Sequence, residues 1–163
     1  NICFEPKKPR FNHYDIGWNY RMTNLQASIG CAQLKKLNKF LKKKRLIGKF
    51  YNKELKNIKS LNLPKTKDSY AKNIYWVYPI TLKNKMKAKS LSEKLVKYGI
   101  ETRPFFYPMN KQPIIKKLKL INKKEKFPVS EKLYQTGLYL PSGIGNTFAE
   151  LRKVVKVLKF ILK

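Results

Sequence analysis

The chain has 163 residues, 38 of them Lys or Arg and 9 Asp or Glu, for a formal charge of +29 at neutral pH. That length suits one compact domain or part of something larger, and 42% apolar with 13% aromatic residues is enough to build a core, which excludes a wholly disordered chain. Lysine interrupts every apolar run well short of the roughly 20 residues that a membrane-crossing helix needs.

Residues 1–22 contain the breakers Pro6, Pro9 and Gly17 and follow neither a helical nor a strand period, so they form a loop. The chain opens on Asn1 without the pattern of a secretory leader and is read as a piece of a longer polypeptide. Thr23-Asn24-Leu25-Gln26 is a capping box: the Thr23 hydroxyl takes the free Gln26 amide and the Gln26 side chain reaches back. Such a cap is typically worth ~1 kcal/mol. Leu25, Ile29, Ala32, Leu34, Leu37, Leu41, Phe50 and Leu55 then fall at helical spacings, which predicts one long amphipathic helix to about Leu55, softened at Gly48.

Ile74-Tyr75-Trp76-Val77-Tyr78 with Ile80 and Leu82 is the best strand, and Pro79, which cannot donate to a ladder, assigns it an edge or a bulge. Leu91, Leu95 and Val96 predict a helix over residues 87–98, ended by Gly99. A short strand over residues 100–103, an aromatic loop over 104–113 and a short helix over 114–120 follow. Residues 128–136 form a further helix with Gly137 as its stop, and Leu138-Tyr139-Leu140 is a strand ended by Pro141. Thr147 and Glu150 repeat the capping signature before a helix with Leu151, Val154, Val155, Leu158, Ile161 and Leu162 on one face. Short strands interleaved with helices predict an α/β or α+β layer whose sheet is covered mainly on one face.

The charge invites nucleic acid, yet 33 of the 38 cations are Lys and 5 are Arg, and they are spread from end to end. Phosphate and base readers draw heavily on the planar fork of Arg. A solvated lysine-rich surface is the plainer reading, with a basic nucleic-acid- or polyanion-binding module as the rival. Cys3 and Cys31 build no disulfide framework and fit reduced thiols in the cytoplasm. His13 is the only histidine, so no metal site is expected and no Ser, His and Asp set can be assembled around a base.

Two polar loops carry what chemistry there is. Gly17-Trp18-Asn19-Tyr20-Arg21-Met22-Thr23 stands before a helix start, where amide and guanidinium donors suit an anion such as phosphate; alternatively Asn19 and Arg21 tie the loop to backbone carbonyls. Glu101-Thr102-Arg103-Pro104-Phe105-Phe106-Tyr107-Pro108-Met109-Asn110 offers aromatic faces for a sugar or base, or packs Phe105 and Phe106 beneath itself.

At these loops the sequence resembles the DegT/DnrJ/StrS group of sugar-nucleotide aminotransferases that depend on pyridoxal phosphate. The likeness runs from Gly17 through Gly30 and on to Gln33-Leu34, then through Gly99-Ile100-Glu101-Thr102-Arg103-Pro104, and through Pro128-Val129-Ser130-Glu131 and Gly137-Leu138-Tyr139-Leu140-Pro141-Ser142, in the family's order. It implies the C-terminal part of a fold-type-I transferase: residues 1–22 end the large cofactor domain, 23–57 are a long inter-domain helix, and 58–163 are a small α/β domain. The small domain has a mostly antiparallel sheet packed with helices. It also implies a cytoplasmic homodimer with shared active sites, moving an amino group from glutamate onto a nucleotide-linked keto-sugar. That chemistry serves cell-surface or secondary-metabolite sugars.

By the same resemblance Asn19 reaches the cofactor phosphate of the neighbouring subunit and Arg21 lies at the cofactor or substrate anion. Tyr20, Arg103, Tyr107 and Asn110 contact substrate, although the family often carries His where Asn110 stands. The lysine that bonds to the cofactor belongs to the family's large domain. No lysine here lies in its motif, so this stretch alone is expected to hold no catalytic residue and to be inactive. Relatives that lost that lysine are dehydratases, the alternative within the family.

Overall fold

Both capping boxes spelled out in the sequence close as expected. The computed structural model describes residues 11–18, 20–83, 86–122 and 125–163. Thr23 starts α1 (Asn24–Leu34), its N–H donating to Gln26 Oε1 at 2.9 Å while its hydroxyl accepts the Gln26 N–H. Thr147 starts α6 (Phe148–Ile161) in the same way, with its N–H on the Glu150 carboxylate at 2.7 Å. That amide and the Thr147 hydroxyl hold the Glu150 carboxyl below the usual carboxylate range.

The single long helix is instead two. α1 stops at Leu34 and α2 (Leu37–Leu55) begins after a turn in which Lys36 sits at φ −104°, ψ 2°, outside helical values. The Lys36 N–H falls back on the Gln33 carbonyl, a three-residue closure that ends the first ladder. The reason lies in packing: α2 buries Ile47, Gly48, Tyr51 and Leu55, whereas α1 buries nothing, so no core holds the two in line. Gly48 does not soften α2. A Cβ there would run into the ring of Tyr75, so glycine is what lets that ring lie against the helix.

Four strands make one antiparallel sheet in the order β1-β2-β4-β3. β1 (Leu61–Asn62), which the sequence did not announce, pairs with β2 (Tyr78–Leu82), and β4 (Gly137–Leu140) pairs with both β2 and β3 (Arg103–Pro104). The strand expected from residue 74 starts only at Tyr78. Tyr75 has φ 53°, a left-handed value that ends any extended run, and its N–H closes on the Asn73 side chain at 2.7 Å. Pro79 is an interior position by strand order and not an edge. β1 reaches only Thr81 and Leu82, so beside Pro79 the sheet is open on that side and the missing donor costs nothing.

α3 (Ala88–Val96), a 3-10 turn (Met109–Lys111), α4 (Pro113–Lys117) and α5 (Pro128–Thr136) complete the elements among the described residues. Gly99, at φ 70°, supplies the left-handed stop after α3. Tyr78, Ile80 and Leu82 alternate inward along β2, Leu138 and Leu140 along β4, and with Leu91, Leu95, Leu151 and Leu158 they form the core. The opposite face carries Pro79, Thr81 and Tyr139, which are half-buried, so the sheet is covered mainly on one side as its pattern predicts.

Candidate functional site

From Trp18 to Met22 the described residues before α1 are exposed. Trp18 is 75% and Tyr20 85% exposed, and Met22, Arg21 and Leu25 stand beside them in the open. Arg21 makes no ion pair or hydrogen bond with any described residue. The Thr23 box takes up the third amide of α1, and no acidic side chain occupies its first turn, so the first amides and the guanidinium share one end of the helix. A guanidinium and free amide N–H groups, with no acidic side chain in the first turn of α1, are donors of the kind that a cofactor phosphate takes. Asn19 lies outside the described residues.

The aromatic loop resolves into packing and latching. Phe105 stacks on Tyr139 at 4.7 Å between ring centroids and fills the space that a side chain at Gly137 would need, so the glycine after α5 opens β4 against that ring. Phe106 meets Phe11 at 4.8 Å, and Tyr107 meets Tyr134 edge-on at 5.2 Å. The Asn110 amide leans on Glu131 at 3.4 Å, and Lys111 pairs with the same carboxylate at 2.8 Å, which holds it below the usual range. Gln112, only 3% exposed, accepts the His13 N–H at 2.8 Å and donates to the carbonyls of Phe11 at 2.9 Å and Tyr107 at 3.3 Å.

Arg103 lines a cleft of about 490 Å³ with Lys44, Trp76, Thr102, Ser142 and Asn146. Lys44 donates to the Ser142 carbonyl at 2.6 Å, and burial pulls its ammonium below the ordinary lysine pKa. Asn110 faces a separate depression of about 660 Å³ with Lys116 and Lys119. Within this one chain the expected residues therefore share no cavity: Arg103 is in the cleft, Asn110 in the depression, Tyr107 against Tyr134, and Tyr20 and Arg21 in the open. Among the described residues no three His, Cys, Asp or Glu side chains gather as a metal set.

Three polar residues escaped the reading of the sequence. Lys44 fell within the solvated lysine-rich surface, yet it sits one helical turn before Ile47 on the face that also carries Tyr51 and Leu55, and that period was the available signal. Asn52 donates to Pro64, Thr66 and Tyr75 and accepts the Tyr78 hydroxyl at 2.5 Å, tying the loop after β1 to the core. Gln112 directly precedes Pro113 at the first position of α4, a place where an amide side chain is free to turn away from the helix.

Comparison with known proteins matches residues 2–159 to the model of the DegT/DnrJ/EryC1/StrS aminotransferase family. The GDP-perosamine synthase of Escherichia coli O157:H7 is 35% identical over 130 residues, covering 80% of this chain and 34% of that protein. The Vibrio cholerae protein of the same name is 32% identical over 152 residues, covering 92% and 40%. The chain thus spans between about a third and two fifths of the length of these relatives. Among solved structures, the Helicobacter pylori aminotransferase PseC, involved in the biosynthesis of pseudoaminic acid, superposes with a TM-score of 0.76 at 22% identity, covering 91% of this chain and 39% of that one.

Proposed function

The chain belongs to the DegT/DnrJ/EryC1/StrS aminotransferase family, and from that membership we propose that it is the C-terminal part of a pyridoxal-phosphate-dependent enzyme transferring an amino group from glutamate to a nucleotide-linked keto-sugar. The likeness to two GDP-perosamine synthases over most of this chain, and the partial span of those relatives, support this reading. The residues that precede the match in the relatives would supply the large cofactor domain with its lysine. The enzyme would work in the cytoplasm as a homodimer with shared sites.

The observation that carries the proposal is Arg21. A guanidinium without a partner among the described residues, beside free helix amides and in a segment whose Trp18 and Tyr20 are exposed, is a half-site for an anion and for a second protein surface. Pyridoxal phosphate, when bound, supplies the electron sink that lets an amino group change carrier. In this reading Asn19 and Arg21 hold its phosphate, while Tyr20, Arg103, Tyr107 and Asn110 hold and orient the sugar nucleotide. The dispersed charge of +29 draws a diphosphate-bearing substrate toward the surface.

The polypeptide that carries this chain, purified and loaded with pyridoxal phosphate, is to be given 15N-glutamate and a GDP-linked 4-keto-6-deoxy-hexose. Label appearing in the sugar supports the proposal. A protein that retains no cofactor after dialysis overturns it, and loss of a sugar hydroxyl without gain of label assigns dehydration instead. Arg21→Ala should weaken cofactor binding by about tenfold or more, as expected for a charge-assisted hydrogen bond.

A further inference from the structure

The buried carboxamide of Gln112 joins its own loop, at Tyr107, to His13 and Phe11, which lie 99 and 101 positions away in sequence. Its oxygen takes the His13 N–H, its nitrogen gives to Phe11 and Tyr107, and the Ile114 N–H completes the contact by donating to the His13 carbonyl at 3.1 Å. The chain entering this contact is strained: Phe11 has φ 67°, a left-handed value a bulky residue keeps only when its surroundings impose it. Those surroundings include Gln112 at its carbonyl and Phe106 at its ring. Phe11 and His13 lead into the segment that carries Arg21, and Tyr107 and Asn110 stand on the loop that Gln112 closes.

We infer that Gln112 is a positioning residue, which latches the anion-gripping segment of the site to its substrate loop and so sets the two against each other. The inference rests on the reading of Arg21 as a cofactor contact. Its chemistry is specific. A glutamine alone among side chains of this length offers one acceptor and two donors on a neutral planar head, and the latch uses both kinds. An apolar side chain of equal length fills the space but removes the acceptor of the His13 N–H and the donor to the carbonyls of Phe11 and Tyr107.

The test is made on the polypeptide that carries this chain, with Gln112→Met, which keeps the volume, and Gln112→Glu, which keeps the length and the acceptor but loses both donors. Hydrogen exchange at His13 should quicken about tenfold in Gln112→Met while Leu140 and Leu151 exchange as before. Both variants should bind pyridoxal phosphate about tenfold more weakly, read by quenching of tryptophan emission. Unaltered exchange at His13 in Gln112→Met overturns the latch. Faster exchange with unchanged cofactor affinity in both variants overturns the positioning role. A wild-type protein that takes up no pyridoxal phosphate is a third and separate result, in which the cofactor reading falls and the role of Gln112 falls with it.

Discussion

Leu25 and Leu95 are the same residue in helices of similar length, and their surroundings could hardly differ more. Leu95 is wholly buried between α3 and the core, and Leu25 is 74% exposed on α1 with Ile29 and Leu34 beside it, also exposed. Both helices obey the same local rules, since both have apolar residues at helical spacing and one of them even has a complete capping box. What separates them is that α3 buries Ala88, Leu91 and Leu95 against the core, whereas among the described residues α1 buries none of its own. Helical pattern states that a face is to be covered; it does not state by which molecule.

The sharpest way to break this comparison is to truncate the same side chain in both places. Leu95→Ala and Leu151→Ala should each lower unfolding stability by about 2–5 kcal/mol in denaturant titration, because each leaves a cavity in a core that relaxes only partly. Leu25→Ala and Ile29→Ala should stay within about 0.5 kcal/mol in this chain, as surface substitutions do. A large loss from Leu25→Ala in the polypeptide that carries the chain would show that a further surface covers α1 there.

The two capping boxes sharpen the contrast at lower energy. Thr147→Ala should cost ~1 kcal/mol of global stability, because α6 buries Leu151, Val154, Val155, Val157 and Leu158 and its first turn melts only with the core. Thr23→Ala removes an equivalent cap and should leave the melting midpoint unmoved, speeding only the amide exchange of residues 24–27. Equal shifts in both variants would mean that α1 is coupled to the core after all.

The smallest effect is in pH. Burial pushes the phenols of Tyr51 and Tyr78 upward, and in Tyr78 the neighbouring Tyr75 and Tyr51 add to the rise. The folded pKa values are thus raised above the unfolded value of about 10. The stability they lend is complete below that value and is lost as pH climbs through the folded ones, since the unfolded chain gives up its protons first. The melting midpoint should fall above about pH 10, and Tyr51→Phe should flatten that slope. Glu150 acts in the opposite sense: its depressed pKa lends stability above the ordinary carboxylate range, lost as pH falls through the lower folded value. Glu150→Gln should remove that acid limb.

Much of the fold could be read from residue order because its signals are local. The caps at Thr23 and Thr147, the left-handed stop at Gly99 and the bounds of α5 depend on a few neighbouring residues, and each forms where the spacing puts it. The polar segment around Arg21 was legible in the same way, as donors before a helix start. The break at Lys36, the left-handed Tyr75 and the tolerance of Pro79 inside the sheet were not. Each depends on what lies across the fold: an absent core beneath α1, the Gly48 notch for the Tyr75 ring, and a β1 too short to reach Pro79.

By itself the sequence determined the capped starts of α1 and α6, the stop after α3, the bounds of α5, the inward alternation of β2 and β4 and the family to which these motifs belong, because periodicity and capping act over a turn or two of chain. Only the tertiary structure decided that Gln112 joins Phe11, His13 and Tyr107, that Asn52 gathers the loop after β1, and that Arg103 and Asn110 open into different cavities. Hydrogen bonds between residues up to 101 positions apart, as between Gln112 and Phe11, leave no periodic trace, and folding alone brings their partners together.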